Sequence, residues 1–377
     1  MRVSAAAVVA LSLGASVGWL PRAHAADGPP PTGHIAVWHH HRAVVKTVTL
    51  PLVEDDDDEV LADDLVEVGP LPDDFEADAA GCYCFGVGDD RLAYVHTYYY
   101  AHQVLAGYNA LLHQLRLPQL RDVMITLKKD ATRPTTGRVV HRRHPRLELT
   151  FASPAVDPFV LARELGRLVD TTLSPRHHVR GLVGPDPSRS LAGEAEAAGV
   201  DQGVANILAA LELGESGSLP ATDNTLDAPP LAEVDTFVRI PDLVLTRREA
   251  LRSFVEAPRF AARYADYVAT VAHRLSDPAW QGFLEQPDED SASAALTQPL
   301  WQAAVRFGFR PVEMLVLKTV ANWSSPETTY LAFGRELVAE ALVGSSPASS
   351  QLADFLAAEL RRRGLPVQET HLDAPQH

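Results

Sequence analysis

The chain is short of the features that usually narrow a function at once. It holds two cysteines in 377 residues, Cys82 and Cys84, so no disulfide framework organises the fold. No apolar run of about 18 residues follows the first 20 positions, so no later segment reads as a membrane span. There is no G-x-S-x-G elbow, no P-loop and no G-x-G-x-x-G after a strand, and Gly86-Val87-Gly88 is only a turn. No internal repeat is evident. Positive charge is scarce: 33 Lys and Arg stand against 49 Asp and Glu. A net charge of −16 argues against nucleic acid and anionic membranes as partners.

What is present begins with the first 25 residues. A basic start at Arg2, an apolar stretch from Ala5 to Leu20, and Ala23-His24-Ala25 before the turn-rich Asp27-Gly28-Pro29 have the order of a secretory signal peptide. The expectation is an exported protein, periplasmic or extracellular, with no membrane attachment after cleavage. No cysteine follows the cleavage site, which argues against a lipoprotein. Removal of Arg2 and Arg22 takes the charge from −16 to −18.

The whole chain is 46% hydrophobic and 22% charged, an ordinary globular composition. The expected divisions are an acidic segment with short strands over 26–90, an α+β part over 91–215, a loop over 216–232, a helical part over 233–364 and a flexible tail over 365–377. Partial alternation predicts a strand or two over 35–53, with His39-His40-His41 on alternating faces where they cannot converge on one metal. The acidic run around 54–78 lacks the glycine of a calcium loop and reads as solvated linker. Cys82 and Cys84 are buried thiols at a hairpin, a redox-labile bridge or partners in an intermolecular bridge. A bridge across one residue closes a tight ring.

Helical spacing predicts a helix over 94–116 that Pro118 stops. Strands are expected over 122–127 and 139–151. A helix from Pro158 to Leu173 has proline at its favoured first position. Further helices are expected over 191–213, 246–273, 296–307, 311–322, 330–342 and 350–364. This order, mixed first and helical later, gives an α+β class.

One helix carries a recognisable pattern. Arg163-Glu164-Leu165-Gly166-Arg167-Leu168-Val169 resembles the H-E-x-G-H-x-V helix of gluzincin zinc metallopeptidases of the thermolysin and fungalysin type. Asp201-Gln202-Gly203-Val204-Ala205-Asn206 resembles that family's second-helix N-E-G-x-A-D segment. The resemblance implies that positions 163, 167 and 202 correspond to zinc ligands, Glu164 to the general base, and Asn206 to a supporting acid. It also implies that the two strands before the helix form the sheet beside which substrate lies. The departures are systematic: both ligand histidines are arginines, the ligand glutamate is Gln202, and the supporting aspartate is Asn206. The stretch 288–301, where a later histidine is expected, contains none. Arginine has no lone pair to give a metal and stays charged. The implication is a catalytically inactive pseudoenzyme without zinc, in which Glu164 is a remnant.

Two readings of the arginines follow. Glu164, with Glu194 or Glu196, can partly neutralise them, and they can form an internal salt-bridge network that stabilises the emptied site. They can instead hold a carboxylate or a peptide C-terminus. Two other functions stay open. One is an active metal-dependent peptidase with a displaced site at His141, His144, His177 and His178. The other is an unrelated exported α-helical binding protein in which Glu164 merely pairs with Arg167 at i,i+3.

Overall fold

The computed structural model describes residues 30–39, 42–51, 60–129, 136–141, 145–151, 156, 158–174, 187–215, 239–240, 243–244, 289–323, 328–344, 346–362, 365 and 367. The leader, the acidic stretch 52–59, the loop 216–232 and the expected helix 246–273 lie outside them. A compact unit starts at Pro31.

Two sheets open the unit. Strands β1 (Thr32–His39) and β2 (Arg42–Thr49) form an antiparallel hairpin, and the short β5 (Cys82–Tyr83) pairs parallel to β1. The five-stranded sheet has the order β3-β4-β6-β8-β7, from Leu61–Ala62, Val66–Gly69, Val123–Lys129, Arg146–Phe151 and Thr136–His141. Its centre is parallel and both edges are antiparallel. Alternation decides which face is covered: Val123, Ile125 and Leu127 of β6 and Leu147, Leu149 and Phe151 of β8 point to the core.

The single strand expected over 139–151 is two strands. Pro145, which has no N–H for a ladder, precedes β8 and offers only its carbonyl, to Met124 N at 2.9 Å. His141 ends the edge strand β7, and position 144 lies outside the described residues. Likewise His39 ends β1, and residues 40–41 lie outside the description.

Helix α1 (Arg91–Gln114) crosses between β4 and β6 and lies over the sheet. Its C-terminus is set two residues before the expected end. Arg116 takes a left-handed φ of 58°, Arg116 N bonds His113 O at 3.0 Å, and Leu117 N bonds Leu112 O at 2.8 Å. This paired closure by a left-handed residue stops the helix before Pro118 is reached. Asn109 then ties the returning chain down, giving its amide to Leu120 O at 2.7 Å and accepting Leu120 N at 2.8 Å.

Helix α2 (Pro158–Leu173) follows, then α3 (Pro187–Glu215), α4 (Glu289–Phe307), α5 (Phe309–Asn322), α6 (Tyr330–Val343) and α7 (Pro347–Arg362). The class is α+β, as the order of elements implied. Helix α3 is the axis of the helical layer: α1, α2, α4, α5 and α6 all touch it. From Val200 to Leu213 it is apolar almost all round and buried at every position but Asp201, as a helix enclosed by others must be. One apolar core runs from Ile35 through α3 to Val367, so the helices after residue 289 share their interior with the front of the chain.

Candidate functional site

A helix as enclosed as α3 should carry no polar residue without a partner. Three buried polar residues lie in its central stretch, and each is partnered: Gln202, Asn206 and Glu212 are 2%, 3% and 1% exposed. The first two face α2, and the third faces α1 and α5.

Gln202 and Asn206, one helical turn apart, share a face. Gln202 Nε2 donates to Asn206 Oδ1 at 3.0 Å, and Gln202 Oε1 accepts a close hydrogen bond from Arg167 Nη2. Arg167 also gives Nη1 to both Glu164 oxygens, at 3.2 and 3.1 Å, while Arg163 Nε reaches Glu164 Oε1 at 3.1 Å. All five residues singled out by their motif positions thus form one connected network across the α2–α3 contact. A solvated amphipathic face would leave the Glu164–Arg167 pair in water. Here the Glu164 side chain is 0% exposed and those of Arg163 and Arg167 are 18% and 29% exposed. The carboxylate is sealed, and the guanidinium groups form the outer edge.

Gly166 sets how closely the helices approach. A Cβ there would lie 3.2 Å from Ala205 O and 3.4 Å from Tyr108 Oη. The glycine of the motif thus lets the backbone carrying Arg167 come within side-chain reach of Gln202.

Two acids beside this network were not singled out by sequence. Asp170 continues the 163–167 stripe, one turn further on, and is 4% exposed. Burial pushes its carboxyl well above the usual range, the nearby Asp201 adds to that, and Arg167 opposes it. The helical spacing from Arg163 to Arg167 to Asp170 was the available signal. Glu194 and Glu196 lie on α3, but their side chains are outside the description, as are His144, His177 and His178 and the side chain of His141.

The other end of α3 holds the mirror-image arrangement. Arg310 Nη1 lies 2.9 Å from Glu212 Oε2 and 3.0 Å from Glu313 Oε2, so one arginine serves two buried carboxyls. Burial first, then Glu212, pushes Glu313 well above the usual carboxylate range, and Arg310 opposes the shift. Room for Glu212 comes from Gly107 on α1, where a Cβ would fall 1.8 Å from Glu212 Oε1. Tyr108 stands between the two networks, fully enclosed, with its hydroxyl 3.4 Å from Ala162 O. No sequence signal joined residues 212 and 310.

The first network is a poor zinc site by its donors alone. Arginine offers none. The oxygens of Glu164 and Gln202 are already engaged by Arg167, and two guanidinium groups repel a dication. Compared with known protein families, curated proteins and solved structures, the chain matches none.

Proposed function

We propose that this is an exported, catalytically inactive relative of the zinc metallopeptidases, in which the helix pair that would hold the ion serves as a binding or scaffolding element. The observation that carries the reading is the meeting of Arg163, Glu164, Arg167, Gln202 and Asn206 across two helices from residues 35 apart in sequence. A chance R-E-L-G-R helix has no reason to aim position 167 at position 202.

In this reading the cationic side chains replace the ion as the partner of Glu164, which keeps the helices locked without a metal. The guanidinium groups form the partly open edge of the network, with the side chains of Arg163 and Arg167 18% and 29% exposed. Helix α2 packs beside β7, the edge strand of the five-stranded sheet. An extended peptide added to that edge would bring backbone hydrogen bonds, and its carboxylate would meet Arg163. The ligand is therefore a peptide or another molecule bearing a carboxylate.

Restoring the donors tests the reading. Arg163→His, Arg167→His and Gln202→Glu together should create stoichiometric zinc binding that the parent chain lacks, read by titration against a chromophoric chelator. Peptides with free C-termini should raise the parent's melting temperature more than their amidated forms, and Arg163→Ala should abolish the difference. Stoichiometric zinc in the purified parent, with chelator-sensitive peptidase activity, would overturn the proposal.

A further inference from the structure

The two cysteines and a histidine meet far from the α2–α3 network. Strand β5 runs parallel to β1 with Thr32 beside Cys82 and Gly33 beside Tyr83, and His34 and Cys84 directly follow these pairs. The sulfurs of Cys82 and Cys84 and a ring nitrogen of His34 all lie within 4.8 Å of one another. Cys82 and Cys84 are joined as a disulfide in this structure.

We propose that this cluster is a redox-gated metal site: reduced, Cys82, Cys84 and His34 bind a thiophilic d10 ion, Cu(I) or Zn(II), and oxidised, they do not. Three observations carry this independently of the peptidase-like network. The first is the donor set. Two thiolates and one imidazole are soft to intermediate ligands, which favour Cu(I) and Zn(II) over hard cations. Cu(I) is satisfied by three such donors, and Zn(II) completes its four with water.

The second is the orientation of His34. Its Nδ1 lies 2.9 Å from Phe85 O. A carbonyl oxygen only accepts, so Nδ1 carries the hydrogen and the lone pair is on Nε2. A ring N–H anchored on a backbone carbonyl is the second-sphere arrangement that fixes metal-binding histidines.

The third is that the loop is built without help from the bridge. Asp78 Oδ1 accepts Ala80 N at 2.9 Å and Cys82 N at 3.0 Å, and Asp78 N donates to Cys82 O at 2.9 Å. Gly81, with φ of 75°, makes the turn that no side chain adopts readily. Both backbone groups of Cys82 are therefore held whether or not the sulfurs are joined. A bridge spanning one residue removes the least chain entropy a disulfide can remove, so it is a weak staple. Its chemistry is what remains to explain it.

The step balances with a dithiol reductant. One of its thiolates attacks Cys84, the more exposed sulfur, and releases the Cys82 thiolate, which takes up a proton. The second thiol of the reductant then displaces the Cys84 thiolate, which is protonated in turn. Two electrons pass to the cysteines, and the reductant leaves as a disulfide. Metal binding then releases two thiol protons to solvent.

The test uses the full mature chain, reduced with a water-soluble phosphine that is then removed. Cu(I) is titrated against bicinchoninate and Zn(II) against a chromophoric chelator, in separate arms. The expected result is one equivalent of at least one ion on the reduced protein and none on the oxidised protein. Cys84→Ser should abolish binding, and His34→Gln should weaken it at least tenfold. On the reduced parent chain, which needs no variant to fold, the bound ion should also block iodoacetamide labelling of both cysteines. Equal binding before and after reduction overturns the proposal. So does full affinity in His34→Gln, or unprotected thiols at saturating metal.

Discussion

The two charge networks on α3 use the same side chains in inverse proportion. At one end, two arginines surround one glutamate, and the arginines reach the surface. Ten residues along, one arginine reaches two glutamates that are sealed. The helical rise puts the two ends about 15 Å apart on one rod. The lesson is that the two ends differ in which charges reach water. At the α2 end the guanidinium groups reach water, with Asp170 and Asp201 beside them. At the α5 end both carboxyls are sealed, and burial with Glu212 close by pushes the Glu313 carboxyl well above the usual range. In the proposed reading the first end offers a charge to a ligand, while at the second the exposed group, Arg310, is already shared by two sealed carboxyls.

The sharpest way to break this comparison is to remove the lone arginine. Arg310→Met leaves two carboxyls in the core without a cation, a change that costs about 3–5 kcal/mol when one partner of a buried pair is lost. Chemical denaturation at neutral pH measures it. A loss no larger than that of a surface substitution would show that Glu212 and Glu313 are not enclosed together. Glu212 cannot swing away from Arg310 toward α1, because the space at Gly107 is already filled by its carboxyl.

The next effect is on pH, where two buried groups act in opposite senses. Glu313 has its folded pKa raised above the ordinary 4.5, so the folded state holds its proton more tightly. Its contribution is full below that value and declines as pH rises through the folded pKa. His96 behaves inversely. It accepts Ala36 N at 3.1 Å on Nδ1, and burial pushes its pKa from 6.5 down to about 3. Its contribution is full above 6.5 and is lost as pH falls toward 3, at a limiting slope of about 1.4 kcal/mol per pH unit. Asp63 adds a further acid limb. Burial raises its pKa, but hydrogen bonds from His102 and Tyr98 outweigh this and hold it below 3.8, so its share is lost as pH falls through that lowered value. Stability measured against pH should form a dome. Glu313→Gln should flatten the high-pH side alone, and His96→Gln the side between pH 6.5 and 3. A Glu313→Gln protein with an unchanged high-pH limb would remove the Glu313 proton from the account.

How much of this was readable beforehand follows from distance along the chain. The bounds of α2 were legible because Pro158 and the apolar spacing are local signals. The link between Arg167 and Gln202 was legible only because two motifs at a known separation resemble a helix pair that meets in a family. The Glu212–Arg310 pair, 98 residues apart, had no such guide. The break between β7 and β8 was hidden because the alternation continues through Pro145, and a missing N–H counts for more than a favourable pattern. The arrest of α1 at Gln114 depended on an arginine adopting a glycine-like conformation, which composition does not announce.

At the α2 end the expected cost of removing the central charge is smaller. Glu164→Gln keeps the shape and leaves two arginines that already touch water, so about 1–3 kcal/mol should be lost, the range for an unmatched hydrogen-bonded partner. The ratio to the Arg310→Met loss is the quantity of interest. Equal losses would mean that Arg163 and Arg167 are as enclosed as Glu212 and Glu313, which would leave no charge for a carboxylate ligand.

The smallest effect probes the contact that makes the first network possible. Gly166→Ala adds a methyl group 3.2 Å from Ala205 O, tight but short of a clash, so the helices need to part by only a few tenths of an ångström. The stability cost should stay below about 1 kcal/mol, since alanine also favours the helix by nearly that amount. The hydrogen bond between Arg167 and Gln202 spans the same gap and has less room to adjust than the apolar contacts around it. Gly166→Ala should therefore reduce the gain in melting temperature from a free-carboxylate peptide more than it reduces the melting temperature of the unliganded chain. An equal response in both would place the ligand away from the α2–α3 contact, and the arginine edge would then be scaffold alone.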